Sequence, residues 1–423
     1  MNTPPLTALT ALLFLTAPAA SGALFTDARP PVTQYAEQSE REANLKHFDE
    51  VWSRVRDSFY DPSFRGLDWE AIGKNYRAKV TEPGSDLAHV INLMLAELSA
   101  SHTGYYTPQD TAYFDLADIF SGGLRRELPK HFSNGEVAYT GIGISTRVVD
   151  GRHFVNGVLD GFPAAEAGLE VGDELITVNG ESFQPVKSFE KKAGQKVTLT
   201  VRRQAGGNTQ ELVATPRRLR PNEMYLKAME ESARIIDAGG RKIGYVHIWS
   251  YARYEYQNLL EELLTSGKLK DADALIWDLR DGWGGADPSY LDIFNSVGPT
   301  MTLTERGGER DIVNGKWRKP VVLLINDGTR SGKEVLAYGF KKYGIGNVIG
   351  TRSAGALLAG RAYLMSNGDL LLLAVADVSI DGERLEGRGV TPSITVPFDF
   401  RYAQGRDPQL ARAVDILAQT IGN

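Results

Sequence analysis

The chain has 423 residues, enough for two or three domains with substantial cores. Its 47 Lys and Arg against 53 Asp and Glu give a net charge of −6 without long like-charge runs, which leaves no footprint for nucleic acid or an anionic membrane surface. Cysteine is absent, so disulfides and thiolate metal sites are excluded while the redox compartment stays open.

In chain order, Leu6 to Thr16 is an apolar run followed by the small residues Ala17 to Ala23, which reads as a signal peptide over residues 1–23 cleaved near Ala19 or Ala23. The run has no Lys or Arg before it, so an uncleaved anchor is the competing reading, although it is too short for an ordinary membrane span. Residues 24–135 form a helical N-terminal region. Its stripes are Val51, Trp52, Val55, Phe59 and Tyr60, then Trp69, Ile72 and Tyr76, then Val90, Ile91, Leu93, Met94, Leu95 and Leu98 after Ser85 and Asp86. The texture over residues 136–218 changes to short strands with glycine turns and marks a separate small domain. Residues 219–423 alternate strands (Ile243 to Trp249, Ala274 to Leu279, Pro320 to Asn326, Val348 and Ile349) with helices over Tyr254 to Leu264, near Ser289 to Phe294 and from Ser331. That alternation predicts an α/β layer of mostly parallel strands, with Leu370 to Val378 as a further core strand.

Ser331 carries the strongest chemical signal. It stands where the buried strand Pro320 to Asn326 gives way to a helix, so the free amides and positive dipole at the helix start can stabilise an oxyanion. An ordinary N-cap serine is the alternative reading of the same position. A nucleophilic serine needs a base, and His102, at the end of the third helix in Ser101-His102-Thr103-Gly104, has the most suggestive setting of the six histidines. The other reading of that histidine is a favourable charge at a helix C-terminus. Oxyanion donors are expected from the amide of Gly332 and from Gly284 and Gly285, where a strand ends in glycines. That segment lacks the Gly-Lys-Ser/Thr of a phosphate loop. No metal or organic cofactor is implied, since no close His and carboxylate cluster occurs. Arg330 and Lys333 flank the nucleophile and read as solvated surface charge, with reception of an acidic group or a free C-terminus as the other reading.

Two resemblances add to this. Gly141-Ile142-Gly143-Ile144, Gly161 to Leu169 and Gly172 to Gly180 together resemble a PDZ domain. The resemblance implies a groove beside one strand for a partner's C-terminal peptide, with the Gly141, Ile142, Gly143 and Ile144 amides holding the carboxylate. A PDZ domain that only braces its neighbours is the bland alternative. Across nearly the whole mature chain, the helical region, the PDZ block, Asp278-Leu279-Arg280 with Gly284-Gly285, Gly328 to Glu334 and Leu385 to Pro392 resemble, in order, the tail-specific or C-terminal processing serine peptidases. The best-known branch uses a Ser and Lys dyad with the lysine in a Phe-Gly-Lys-Gly context. Here the matching segment is Thr351-Arg352-Ser353-Ala354-Gly355-Ala356, with alanine in the lysine's place, and Lys333 points to another helix face than Ser331.

The sequence is instead similar to the branch of the tricorn core protease, which uses Ser, His, Ser and Glu. That resemblance implies Ser331 as nucleophile, His102 as general base, Ser101 as the link and Glu386, or Glu383 close by, as the carboxylate. It also implies a crotonase-like (ClpP/crotonase) α/β catalytic core with an inserted PDZ domain, and a secreted or periplasmic serine endopeptidase acting on peptide or protein substrates through the PDZ groove. The rival reading is a catalytically inactive peptide- or ligand-binding scaffold with the same core, as in retinoid-binding relatives. The oligomeric state stays open, a homo-oligomer included.

Overall fold

The computed structural model describes residues 32–295, 301–304, 306, 310–313 and 315–422, so the expected signal peptide over 1–23 lies outside them. There are two units, Met1–Ala43 and Asn44–Asn423. In the first, the described residues are helical from Val32. All that follows concerns the second.

Its central sheet has six strands in the order Arg234–Asp237, Lys242–His247, Ala274–Asp278, Val321–Ile325, Asn347–Gly350 and Ile394–Thr395. The first pair is antiparallel and the other four junctions are parallel. The inner strands read as unbroken apolar runs because both faces are covered. Leu275, Trp277, Leu323 and Ile325 pack with Leu260, Leu264, Leu336 and Phe340 from helices Glu255–Thr265 and Gly332–Lys342. Ile276, Val322 and Leu324 pack with Ala413 and Leu417 of helix Pro408–Gly422. Neighbours along each strand thus go to opposite cores, and a slip of one residue would exchange the two sets.

The N-terminal helices bury Phe48, Val51, Val55, Trp69, Ile91, Met94 and Leu95 in one cluster, as their periodicity predicts, whereas Leu93 is exposed. Asp68 and Asp86 cap helices Trp69–Val80 and Leu87–Ala96 by accepting from Ala71 N and His89 N. After the last of these, Gly104–Tyr106 joins strand Leu370–Ala376 antiparallel with Gly104 opposite Leu372, and Ala359–Leu364 completes that sheet. This pairing ties the chain just past His102 to the C-terminal half of the molecule.

The glycine-turn block forms a separate sheet, Ile144–Val149, Arg152–Val158, Glu174–Val178, Val197–Arg202 and Thr209–Ala214 in that order, around Val155, Leu175, Phe189, Leu199 and Val201. Strands Tyr139–Gly141 and Arg217–Leu219 pair antiparallel, so the chain enters and leaves this block side by side. Arg147 of its edge strand reaches Asp327 at 2.8 Å, just ahead of the Ser331 turn.

One expected element differs. In place of a crossover helix near Ser289 to Phe294 there is a 3₁₀ turn Pro288–Leu291 followed by the single turn Asp292–Asn295. Asp287 caps the start by accepting from Ser289 N, and Pro288 removes a backbone donor at the first position.

A buried ionic network anchors the strand end that leads to Gly284. Arg280 bonds Asp278 at 2.6 Å, Asp407 at 2.7 Å and Gln409 at 3.0 Å. Burial by itself raises the Asp278 carboxyl pKa, but the Arg280 guanidinium and then His247 override it and hold the group well below the usual carboxylate range. Its folded value is depressed, so its contribution is present above the unfolded value of about 3.9 and is lost as pH falls below it. Arg280→Ala, which strands two carboxylates, is expected to cost about 3–5 kcal/mol in urea unfolding at neutral pH. A loss below about 1 kcal/mol would mean that water replaces the guanidinium.

Candidate active site

Strand Val321–Ile325 ends in a turn fixed by side chains that bind backbone. Asn326 Oδ1 accepts from Asp281 N and Gly328 N, each at 3.0 Å, and Thr329 Oγ1 donates to Leu279 O at 3.0 Å. The turn delivers Ser331 to the N-cap of helix Gly332–Lys342 at φ 55°, ψ −132°, a conformation a residue with a Cβ adopts only when its surroundings impose it. Ser331 N donates to Ala356 O at 2.9 Å and to Glu334 Oε2 at 3.2 Å. The Glu334 carboxylate also accepts from Ser353 Oγ at 2.6 Å, Gly355 N at 2.7 Å and Ala356 N at 2.8 Å. Glu334 was not singled out from the sequence, although Ser331-Gly332-Lys333-Glu334 carries the Ser-x-x-Glu spacing of a capping box.

Ser101, His102 and Glu386 come together. Ser101 N and Oγ donate to Glu386 Oε1 and Oε2 at 2.9 and 2.7 Å, and Leu357 N donates to Oε2 at 2.7 Å. Ser101 Oγ lies 3.0 Å from His102 Nδ1. A carboxylate can only accept, so the hydroxyl proton goes to Glu386 and the hydroxyl oxygen accepts from Nδ1–H. That tautomer leaves the Nε2 lone pair free to take a proton. Glu383 is elsewhere, 3.4 Å from the Tyr338 hydroxyl on the exposed surface.

Ser101, His102, Ser331, Gly284 and Gly285 line one cavity of about 530 Å³. Its other walls include Tyr106, Leu116, Ile119, Phe120, Leu358 and Leu372, an apolar portion that no sequence motif announced. Gly284 lies against Ser331, since a Cβ there would collide with Ser331 Cβ and fall 3.0 Å from Gly332 N. Gly285 has φ +105° and packs on Ala252. The imidazole of His102 is pushed down to about 4, first by burial and then by the Arg330 charge, with Glu386 opposing. It is therefore neutral, the form a base needs, across the ordinary pH range.

Two expectations need correction. Lys333 is not solvated: it is fully buried, and Nζ donates to Asp281 O at 2.8 Å, within the loop that carries Gly284. Burial lowers it to about 7. Arg330 is half-buried, lines the cavity and holds its guanidinium 5.5 Å from the Trp283 ring centre. Gly141, Ile142, Gly143 and Ile144 lead into the edge strand Ile144–Val149, whose cleft against Phe183, Pro185 and Phe189 is about 10 Å³, too small for a peptide end unless those side chains move. A separate cavity of about 800 Å³ lies between this block and the C-terminal segment, lined by Arg147, Trp249, Asp327 and Phe400, and it does not include the Ser331 set.

Gly284 has ordinary φ, so a methyl there adds no strain at its own backbone and presses instead on Ser331 and the Arg330 carbonyl. Gly284→Ala is expected to keep the fold by circular dichroism and to lower the reaction of Ser331 with a serine-directed phosphonate by about a hundredfold or more. An unchanged rate would mean that this glycine does not border the reacting atom.

Comparison with known proteins agrees with this architecture. Residues 242–396 match Peptidase family S41, residues 140–215 a PDZ domain and residues 41–96 the Tricorn protease C1 domain. The chain is 24% identical over 371 residues to Carboxyl-terminal-processing peptidase 3, chloroplastic, of Arabidopsis thaliana, covering 82% of this chain and 67% of that protein. It is 25% identical over 306 residues to Carboxy-terminal processing protease CtpB of Bacillus subtilis, covering 69% and 62%. The chain thus spans about two thirds or less of these relatives' own length. In fold it is similar to the solved tricorn protease, with a TM-score of 0.52 and 19% identity over 90% of this chain and 37% of that one. The chain is thus similar to carboxyl-terminal processing proteases, and it combines a segment that matches Peptidase family S41 with a PDZ match and a Tricorn protease C1 match.

Proposed function

We propose that the protein is a secreted or periplasmic serine endopeptidase that cuts peptides or protein C-terminal tails, with Ser331 activated by His102 and with no lysine base. The observation that carries this reading is the hydrogen-bonded series Glu386, Ser101, His102 opening on the cavity that holds Ser331. His102 Nε2 takes the Ser331 proton as the hydroxyl attacks the peptide carbonyl, and later returns it to the leaving amine. Ser101 and Glu386 keep the ring in the tautomer this requires. The amides of Gly332, Gly284 and Gly285 are the candidate donors to the oxyanion.

The central sheet, with helices on both faces, is read as a crotonase-like core, and the Val137 to Arg218 block as its substrate-recognising or regulating PDZ domain. The narrow cleft beside strand Ile144–Val149 fits a resting state in which a C-terminal peptide must first displace Phe183 and Phe189. The apolar run at the N-terminus supports export.

The test is fluorophosphonate labelling read by intact mass together with cleavage of a peptide library, each with and without a C-terminal peptide for the PDZ domain. Wild type is expected to gain one adduct and to cleave, and Ser331→Ala and His102→Ala to do neither. Absence of labelling and cleavage under both conditions would favour the inactive scaffold.

A further inference from the structure

The charge at the mouth of the nucleophile is unbalanced. Arg330 precedes Ser331, lines the same cavity and lies over the face of Trp283, which is itself fixed by an indole hydrogen bond to Asp115 at 3.1 Å. Among the described residues no carboxylate forms an ion pair with Arg330. The same cavity is lined by Leu116, Ile119, Phe120 and Leu358. A guanidinium facing an apolar cavity with a planar fork of donors matches a carboxylate better than any other group a peptide offers.

We propose that Arg330 is a specificity residue that selects substrates presenting a carboxylate close to the bond cut by Ser331. The proposal rests on the peptidase reading above and names its substrate class. An extended peptide advances about 3.4 Å per residue, so a guanidinium on the residue next to the nucleophile reaches positions a residue or two from the scissile bond. The carboxylate comes either from the chain terminus or from an Asp or Glu side chain.

Pairing has a chemical consequence. The Arg330 charge is one of the influences that make His102 a weak base, the others being burial, which acts the same way, and Glu386, which opposes it. A substrate carboxylate that neutralises Arg330 strengthens the base in the complex that is about to react. The matching substrate thus sharpens the proton transfer it needs.

Three quenched peptides with a common apolar core test this: one with a free C-terminus just beyond the cut, one amidated there, and one amidated with Glu beside the cut. Wild type is expected to favour the first or the third over the second by about tenfold or more in kcat/KM, and the preferred peptide identifies the source of the carboxylate. In Arg330→Met the three are expected to fall within about twofold of one another. With wild type, the acid limb of kcat should lie at higher pH for the carboxylate peptide than for the amidated one. Equal kcat/KM for all three with wild type, or a preference that survives in Arg330→Met, would overturn the proposal while leaving a serine peptidase. Loss of both cleavage and Ser331 labelling is the distinct failure of the peptidase reading, and it removes the proposal as well.

Discussion

The carboxylate of Glu334, taken almost wholly out of water, accepts hydrogen bonds from Ser331 N, Ser353 Oγ, Gly355 N and Ala356 N. Burial raises its pKa, and these four bonds act against that by favouring the ionised form. The first donor belongs to Ser331 and the other three to the segment Thr351 to Ala356. That segment holds the next one in turn, since Val390 N donates to Ser353 Oγ and Gly387 N to Gly355 O. Immediately before Gly387 stands Glu386, whose carboxylate binds Ser101 and, through it, His102. Residues far apart in sequence are thus joined by one series of short hydrogen bonds that runs through Glu334.

Electrostatics around this series separate the candidate bases. His102 is half-buried and Lys333 fully buried, and desolvation disfavours the charged form of each. Their hydrogen bonds differ. The imidazole is held at Nδ1 by the Ser101 hydroxyl, which leaves the Nε2 lone pair unused, whereas the Lys333 amine donates to the Asp281 carbonyl. Lys333 therefore works as a brace for the Asp281 to Gly285 turn, and His102 stands as the group with a lone pair available.

Much of this was legible in the sequence for physical reasons. Covering both sheet faces requires unbroken apolar strands, so Val321 to Ile325 announced itself, and the sharp change to helical spacing located Ser331. Ser85 and Asp86 marked the start of the third helix, whereas the Asp68 cap of the second is seen only in the structure. Ser101-His102 and Glu386 were found through family likeness, and the hydrogen bonds single out Glu386 over Glu383. Other features depend on three-dimensional packing and leave no local signal. Helix Thr111–Ile119 supplies Leu116 and Ile119 to the cavity wall, although its pattern reads as ordinary core. Lys333 looked solvated because a lone lysine in a helical first turn usually is, and only the position of the Asp281 loop buries it. The cleft beside the edge strand is set by Phe183 and Phe189, which lie well beyond the glycine motif that suggested it.

The central claim is that a histidine with a depressed pKa, and not a lysine, activates the serine. The pH dependence of the second-order rate of fluorophosphonate labelling tests it most directly. A base that works when neutral gives a rate that rises with pH through its own pKa, so wild type should show its acid limb near 4, the value to which His102 is pushed. A limb near 7 that vanishes in Lys333→Met, with labelling intact in His102→Ala, would contradict the account.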